Sequence, residues 1–389
     1  MNVAQILSLL PEGILTELAI ETQVNRYAKK LQGEVIFKLL LHCLLSHKDN
    51  SLRVMESAYE SMVFNLLNAA KDKGSIRYSS ISERLSTINA VYFEKLYQVC
   101  IAIYGNSIGE SSSAVTRFDS TIVALSGQLL KVGYHLKGGD AAHVRQLKFT
   151  IGFSELPTAV HLFTEQKYTS ENTALKEAML LHQPAKTNAI RIFDRGVTSR
   201  KTHDELTNKN IPFISRIHTR SKYQEHTCNQ LNQSVETNTL QLFSDNWIYL
   251  YTTDTGRAQH PVRCIRAISK SIGEELAFVT NIPDLTGEEV TELYKRRWDI
   301  EVFFKFLKQE LRFSHLINRS ENGIKVMLYT TLIASILILV YKKTNKLTGF
   351  KIVKQKFTQQ LERLLVKDLV QMCGGNPNLV DKLLLKPPN

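Results

Sequence analysis

The hydrophobic period of this chain changes near residue 110, and that change limits it to a fold built from two kinds of layer. From Val3 to about Tyr104, apolar residues recur at three and four spacing, as in VIFKLLLHCLL (35–45) and INAVYFEKLYQVCIAIY (88–104). That is the pattern of helices with one buried face. The polar turn KDKGSIRYSS (71–80) interrupts it, and the small, polar SIGESSS (107–113) reads as a linker. From Ala114 the segments become short and β-rich: VTRFDSTIVAL, LKFTIGFSE and TAVHLFTE are expected as three strands. Helix and strand then alternate, with a helix over 172–181, the strand AIRIFD, a helix over VTSRKTHDELTNK and the strand IPFISRI. Three successive strands followed by a βαβ unit describe a mixed sheet covered by helices. A polar stretch follows, with strands expected in WIYLYTT, PVRCIRAIS and LAFVTNI, so residues 218–283 read as a β-rich insertion.

Charge narrows the class of partner. Lys and Arg number 49 against 37 Asp and Glu, and residues 286–389 alone hold 18 bases and 10 acids. A positive field concentrated in one region points to a polyanion, nucleic acid or an anionic membrane surface. The most apolar run, Met327–Tyr341, is shorter than the ~20 residues a bilayer span requires and includes Thr, Ser and Tyr. It reads as a core helix, and no membrane partner is expected. The N-terminus lacks the pattern of a secretory signal, so a cytoplasmic location is expected. Five scattered cysteines offer no C-x-x-C pair, and His226, Cys228, His260 and Cys264 have spacings that fit no standard zinc site.

Chemistry concentrates in YKRRWDIEVFFKFLKQEL (294–311). One helix is expected from Thr286 to Arg312, started by a capping box of Thr286 and Glu289. At about 100° per residue, Tyr294, Arg297, Glu301, Lys305, Lys308 and Arg312 share a stripe opposite Ile300, Phe303, Phe306, Leu307 and Leu311. By itself that stripe reads first as a solvated ladder of i,i+4 pairs. Two strand-borne aspartates argue against the plainer reading. Asp119 interrupts an apolar strand, where aspartate is disfavoured. Asp194 ends another just before Arg195-Gly196, at the sheet edge where α/β folds place their sites, although it could equally cap the helix beginning near Thr198. Two aspartates and a glutamate form a set of hard oxygen donors suited to Mg²⁺.

These residues resemble the DDE transposases of bacterial insertion sequences, in particular the insertion-sequence-four group. The signature of that group is Tyr, two residues, Arg, three residues, Glu, six residues, Lys, and Tyr294, Arg297, Glu301 and Lys308 match it at every position. FDST around Asp119, the DRG at 194–196, VTNIPDLTGEEVTELYKRRW, and ISERLSTINAVYFEKLY (81–97) extend the likeness over roughly residues 75–315.

The resemblance implies an RNase H-like catalytic core, a mixed sheet with flanking helices and a β-rich insertion before the helix of the catalytic Glu. The expected organisation is a helical N-terminal DNA-binding domain over 1–106, the first part of the core over 107–217, the insertion over 218–283, the Glu helix over 284–320 and a helical region over 321–389. Asp119, Asp194 and Glu301 would hold two Mg²⁺ ions, with Mn²⁺ as a substitute, for DNA cleavage at element ends and strand transfer. Tyr294, Arg297 and Lys308 would bind DNA near the cleaved end, with Lys305 and Arg312 extending the basic track. Trp298 reads first as a packing residue and second as a stacking platform; Trp247 is the better candidate to stack on a displaced base. The implied partners are double-stranded DNA, as terminal inverted repeats and target, and a second copy of the chain in a synaptic homodimer. A nuclease of the same fold that never joins, and a decayed end-binding protein without catalysis, are the rival readings.

Overall fold

A computed structural model of the chain describes residues 1–47, 50–68, 74–109, 115–125, 134–135, 145–183, 188–229, 234–252, 256–313 and 315–385. In chain order the helices α1 (Val3–Leu7), α2 (Ile14–Glu21), α3 (Gly33–Ser46), α4 (Leu52–Glu60), α5 (Met62–Asn68), α6 (Tyr78–Thr87) and α7 (Val91–Ile108) come first. The strands β1 (Val115–Leu125), β2 (Tyr134–His135), β3 (Arg145–Phe153) and β4 (Pro157–Phe163) precede a short 3-10 turn, α8 (Glu171–Leu181), β5 (Ile190–Ile192), α9 (Arg200–Asn208) and β6 (Phe213–Ile217). Then follow β7 (Tyr223–Asn229), β8 (Val235–Glu236), β9 (Leu240–Leu250), β10 (Val262–Ser269), β11 (Glu275–Thr280), α10 (Gly287–Lys295), α11 (Trp298–Glu310), α12 (Glu321–Thr344), α13 (Phe350–Met372) and α14 (Asn378–Leu385). Ser107 of the expected linker completes α7, and residues 110–113 of it lie outside the described residues, as do 71–73 of the polar turn.

The chain divides into two compact units, one from the described residues of 1–108 and 305–389 and one from those of 109–304. The first is all helical. Its centre is α12, packed by α7, α3, α6 and α13. From Gly323 to Tyr341 only Lys325 and Tyr329 are partly exposed. At 24 residues α12 is long and apolar enough to cross a membrane, longer than the apolar run alone suggests, but it is buried in protein.

The second unit is one mixed sheet in the order β2-β3-β1-β5-β6-β11-β10-β9-β7, with β4 beside β3 and β8 beside β9. β1, β5 and β6 run parallel, and β3 is antiparallel to β1. The β-rich segment expected over 218–283 joins the same sheet, β11 pairing antiparallel with β6. Alternation along the strands sends Phe118, Phe193 and Phe213 to one face, where α8 and α9 supply Leu175, Met179 and Leu206. Val115, Ile192, Ile214 and Phe278 go to the other, against Val290 and Tyr294 of α10. The two-face pattern is the mixed α/β, RNase H-like architecture expected.

One expectation fails in detail. The single helix over 286–312 is broken, because Arg297 N–H bonds the Tyr294 carbonyl at 2.8 Å and Ile300 N–H that of Arg297 at 3.2 Å. These i to i+3 bonds wind the chain more tightly than an α-helix and spoil the 100° bookkeeping across the break. Tyr294 therefore turns into the core, edge-on to Phe278 at 5.3 Å, with 9% of its surface exposed. Arg312 lies past the end of α11 with φ +53°. The capping box at Thr286 and Glu289 is present, with hydrogen bonds of 3.2 and 2.7 Å.

Candidate active site

Two neighbouring parallel strands lead to the two aspartates. In the parallel pair, Arg117 of β1 lies beside Ile192 of β5. Asp119 follows two residues on within β1, and Asp194 follows two residues past the end of β5, close enough for its charge to be felt at Asp119. On the third parallel strand Ile214 lies beside Ile192, Ser215 Oγ donates to the Asp194 carbonyl at 3.3 Å, and Arg216 follows.

Each carboxylate is tied to its own backbone. Asp119 Oδ1 accepts from Ser120 N–H at 2.8 Å, and Asp194 Oδ1 accepts from Gly196 N–H at 2.8 Å. A Cβ on Gly196 would sit 2.8 Å from that same oxygen, which accounts for the glycine in the DRG run. Burial pushes the Asp119 carboxyl from 3.8 up to about 7; the Asp194 charge adds to the rise, and the Ser120 hydrogen bond and Arg297 oppose it. A pair of like charges sharing a partly dry site is one that a cation would relieve.

Glu301 approaches from α11, one turn past the helix break. Its Oε1 is 2.5 Å from Arg297 Nη2, and the Arg297 guanidinium lies 5.9 Å over the Tyr294 ring. Burial works against the Arg297 charge, but Tyr294, Glu301 and Asp119 together hold its pKa above the ordinary arginine value. Burial likewise raises the Tyr294 phenol. Arg297 thus pairs with Glu301 and feels the charge of Asp119. Among the described residues no three His, Cys, Asp or Glu side chains close into a ready metal cluster, and Glu301 is paired with Arg297.

A second ionic chain fixes the start of α11. Arg117, two residues before Asp119 and 1% exposed, donates to the carbonyls of Phe153 and Ser154 and lies 3.4 Å from Asp299. Asp299 is also 3.8 Å from Arg296, which pairs with Glu155 at 3.2 Å. Phe303 stacks on Phe153 at 4.6 Å below them. Sequence reading passed over Arg117, Asp299 and Arg216. The signal was available for the arginines, since a charged residue inside VTRFDST or PFISRI breaks an apolar strand just as Asp119 does.

The remaining candidates scatter. Trp298, expected to pack, is 61% exposed on the first turn of α11. Trp247 is half-buried on β9, opposite Arg263 and Thr227, five strands from β1 and so ~24 Å along the sheet. It is not brought to the carboxylates. Lys305, Lys308 and Arg312 belong to the helical unit.

Comparison with known proteins identifies the family. The Transposase DDE domain family matches residues 111–337, which include all three carboxylates. A Synechocystis protein named as a transposase for insertion sequence element IS4SA is 25% identical over 234 residues, 57% of this chain and 58% of its own length. A Geobacillus stearothermophilus protein named as a transposase for insertion sequence element IS5377 is 32% identical over 95 residues, 23% of this chain and 25% of that one. The transposase y4zB of Sinorhizobium fredii is 23% identical over 107 residues, 28% of this chain and 30% of that one. The matched part of the chain therefore spans little more than half of one curated relative and less than a third of the other two. The family match covers more than half of the chain and contains the paired aspartates and the glutamate helix, so the chain belongs to the Transposase DDE domain family.

Proposed function

We propose that this protein is a transposase that nicks DNA at the ends of an insertion sequence and joins the freed 3′ ends to target DNA. What supports the reading above all is the nearness of Asp119, on β1, to the Asp194 charge just past β5, with Arg297 linking to both Asp119 and Glu301. Hard oxygen donors with a strained, like-charged pair among them suit divalent metal, and Asp119, Asp194 and Glu301 would hold Mg²⁺ or Mn²⁺. When bound, the metal supplies the positive charge that makes a water nucleophilic and steadies a leaving 3′ oxygen.

The chain's own residues do the rest. Asp119 and Asp194 fix the site to the rigid sheet. Arg297, released from Glu301 by a competing phosphate, meets the DNA backbone; Tyr294 holds Arg297 in place from the core side. Lys308, and with it Lys305 and Arg312, extends the contact to phosphates. Trp298, exposed one residue after Arg297, is a platform for a base. Action on two ends at once calls for two copies of the chain on DNA, in the cytoplasm where that DNA lies.

The test is incubation of purified protein with Mg²⁺ and the inverted repeats that flank its gene. Nicks at the ends followed by joined products support the reading. Nicks without joining in the presence of target DNA identify a nuclease, and binding without nicks a protein that only occupies ends.

A further inference from the structure

The helical unit holds a cleft of about 730 Å³ between the segment that joins α2 to α3 and one face of α6. Ser80, Glu83, Arg84 and Thr87 present that face at i, i+3, i+4 and i+7. Five bases, Arg26, Lys29, Lys30, Arg77 and Arg84, line the cleft with a single acid, Glu83. Arg84 is committed to the fold, donating to the carbonyls of Leu31 and Val24. The other four are exposed, and among the described residues they form no ion pair.

Tyr27 stands beside them, 90% exposed at φ +64°, with the Arg26 guanidinium 5.1 Å from its ring. A bulky residue with left-handed backbone and an unburied ring is costly to the isolated fold. Four uncompensated cations around one cavity add self-repulsion, which a polyanion removes. The lining offers ammonium, guanidinium and hydroxyl donors, the groups that hold phosphate oxygens. The same guanidinium and ammonium groups also reach guanine in the major groove, so a scrambled duplex is what separates backbone from base contact.

We infer that this cleft is a phosphate clamp that holds the backbone of duplex DNA without reading its sequence. It rests on the transposase reading for the identity of the polyanion, and it assigns to residues 26–30 and 77 a contribution separate from the catalytic carboxylates.

The experiment measures equilibrium binding without metal, over 50 to 200 mM salt, to a duplex carrying the element end and to a scrambled duplex of the same length. Wild type is compared with Arg26→Ala/Lys29→Ala/Lys30→Ala, and with Lys325→Ala as control, because Lys325 already has Glu321 at 2.7 Å. Three phosphate contacts at ~0.9 each lower the log-log slope by about 2.7, so wild type loses ~40-fold more affinity than the triple variant across that range. Both duplexes respond alike, and the control keeps the wild-type slope. An unchanged slope in the triple variant overturns the clamp, and the transposase reading survives if that protein still nicks ends. A cleft-dependent slope in a protein that never nicks supports the clamp and removes the transposase reading. A fall in the ratio of end to scrambled binding means that the cleft reads bases, and tight binding of inorganic polyphosphate but not duplex means another ligand; each overturns the inference.

Discussion

Replacing Asp119 by Asn should make the metal-free protein more stable at neutral pH while it destroys catalysis. Burial, with the Asp194 charge behind it, raises the folded-state carboxyl from 3.8 to about 7. Between those values the folded protein keeps a proton that the unfolded chain has released, so the group's contribution to stability is present at acid pH and lost as pH rises through about 7. Each pK unit corresponds to ~1.4 kcal/mol, which caps the loss at about 4 kcal/mol. About two of the three units lie between pH 5 and pH 8. With solvent screening of a partly exposed carboxylate, the Asn variant should gain about 1.5–3 kcal/mol on wild type over that interval. Urea unfolding of both proteins at the two pH values, in chelator, measures the difference and cancels every other titrating group. Mg²⁺ at pH 8 should then close the gap, by stabilising only the protein that still has its carboxylate. A gap constant to within about 0.5 kcal/mol from pH 5 to pH 8 would refute the account of Asp119 as a buried, repelled charge.

Three further outcomes follow from the geometry. Gly196→Ala pushes a methyl to within 2.8 Å of Asp194 Oδ1; nicking should fall at least tenfold while thermal unfolding shifts by no more than the ~1–3 kcal/mol of a local overpacking, and wild-type nicking would discard the tight DRG turn as a requirement. Asp299→Asn removes the partner that Arg117 finds on α11; because Asp299 is half exposed the fold should lose only about 1 kcal/mol, but the Mg²⁺ concentration for half-maximal nicking should rise as Glu301 loosens, and an unchanged metal dependence would make that ion pair ornamental. Arg297→Ala and Lys308→Ala should each lower the salt dependence of end binding by about one charge and depress nicking; if both slopes match wild type and nicking is normal, the helix is ordinary surface.

Sequence alone disclosed the strand-borne aspartates and the spacing around Glu301, because an acid within an apolar strand is locally anomalous and a four-residue register is hard to meet by chance. The mixed sheet followed from the change of period. What it concealed was set by tertiary contacts. A 100° wheel drawn through residues 286–312 cannot sense that the chain tightens at Arg297, so it put Tyr294 on the solvent stripe when the ring is packed on Phe278. Nor does a strand pattern reveal pairing partners, and the strands of 218–283 gave no sign that they would extend the core sheet through β6 and β11. Arg117 was hidden for a related reason: its meaning lies in Asp299, 182 residues away in the chain and 3.4 Å away in the fold.

The burial of α12 sets the order in which this protein can be made. Residues 109–304 form a unit whose contacts are complete once the ribosome has passed α11's first turns, so that unit can fold while synthesis continues. The first hundred residues cannot finish. Their core is α12, which is made some 200 residues later, and until it arrives the faces that α3, α6 and α7 turn to it stay uncovered, with α2, α4 and α5 packed on their other sides. The basic cleft is lined by residues translated early, but the helix α6 on its one side rests on α12 and gains that support last. A chain cut short before α12 would carry Asp119 and Asp194 on a folded sheet unit and yet lack the helix that centres the helical unit, which couples the completion of that unit to the completion of the polypeptide.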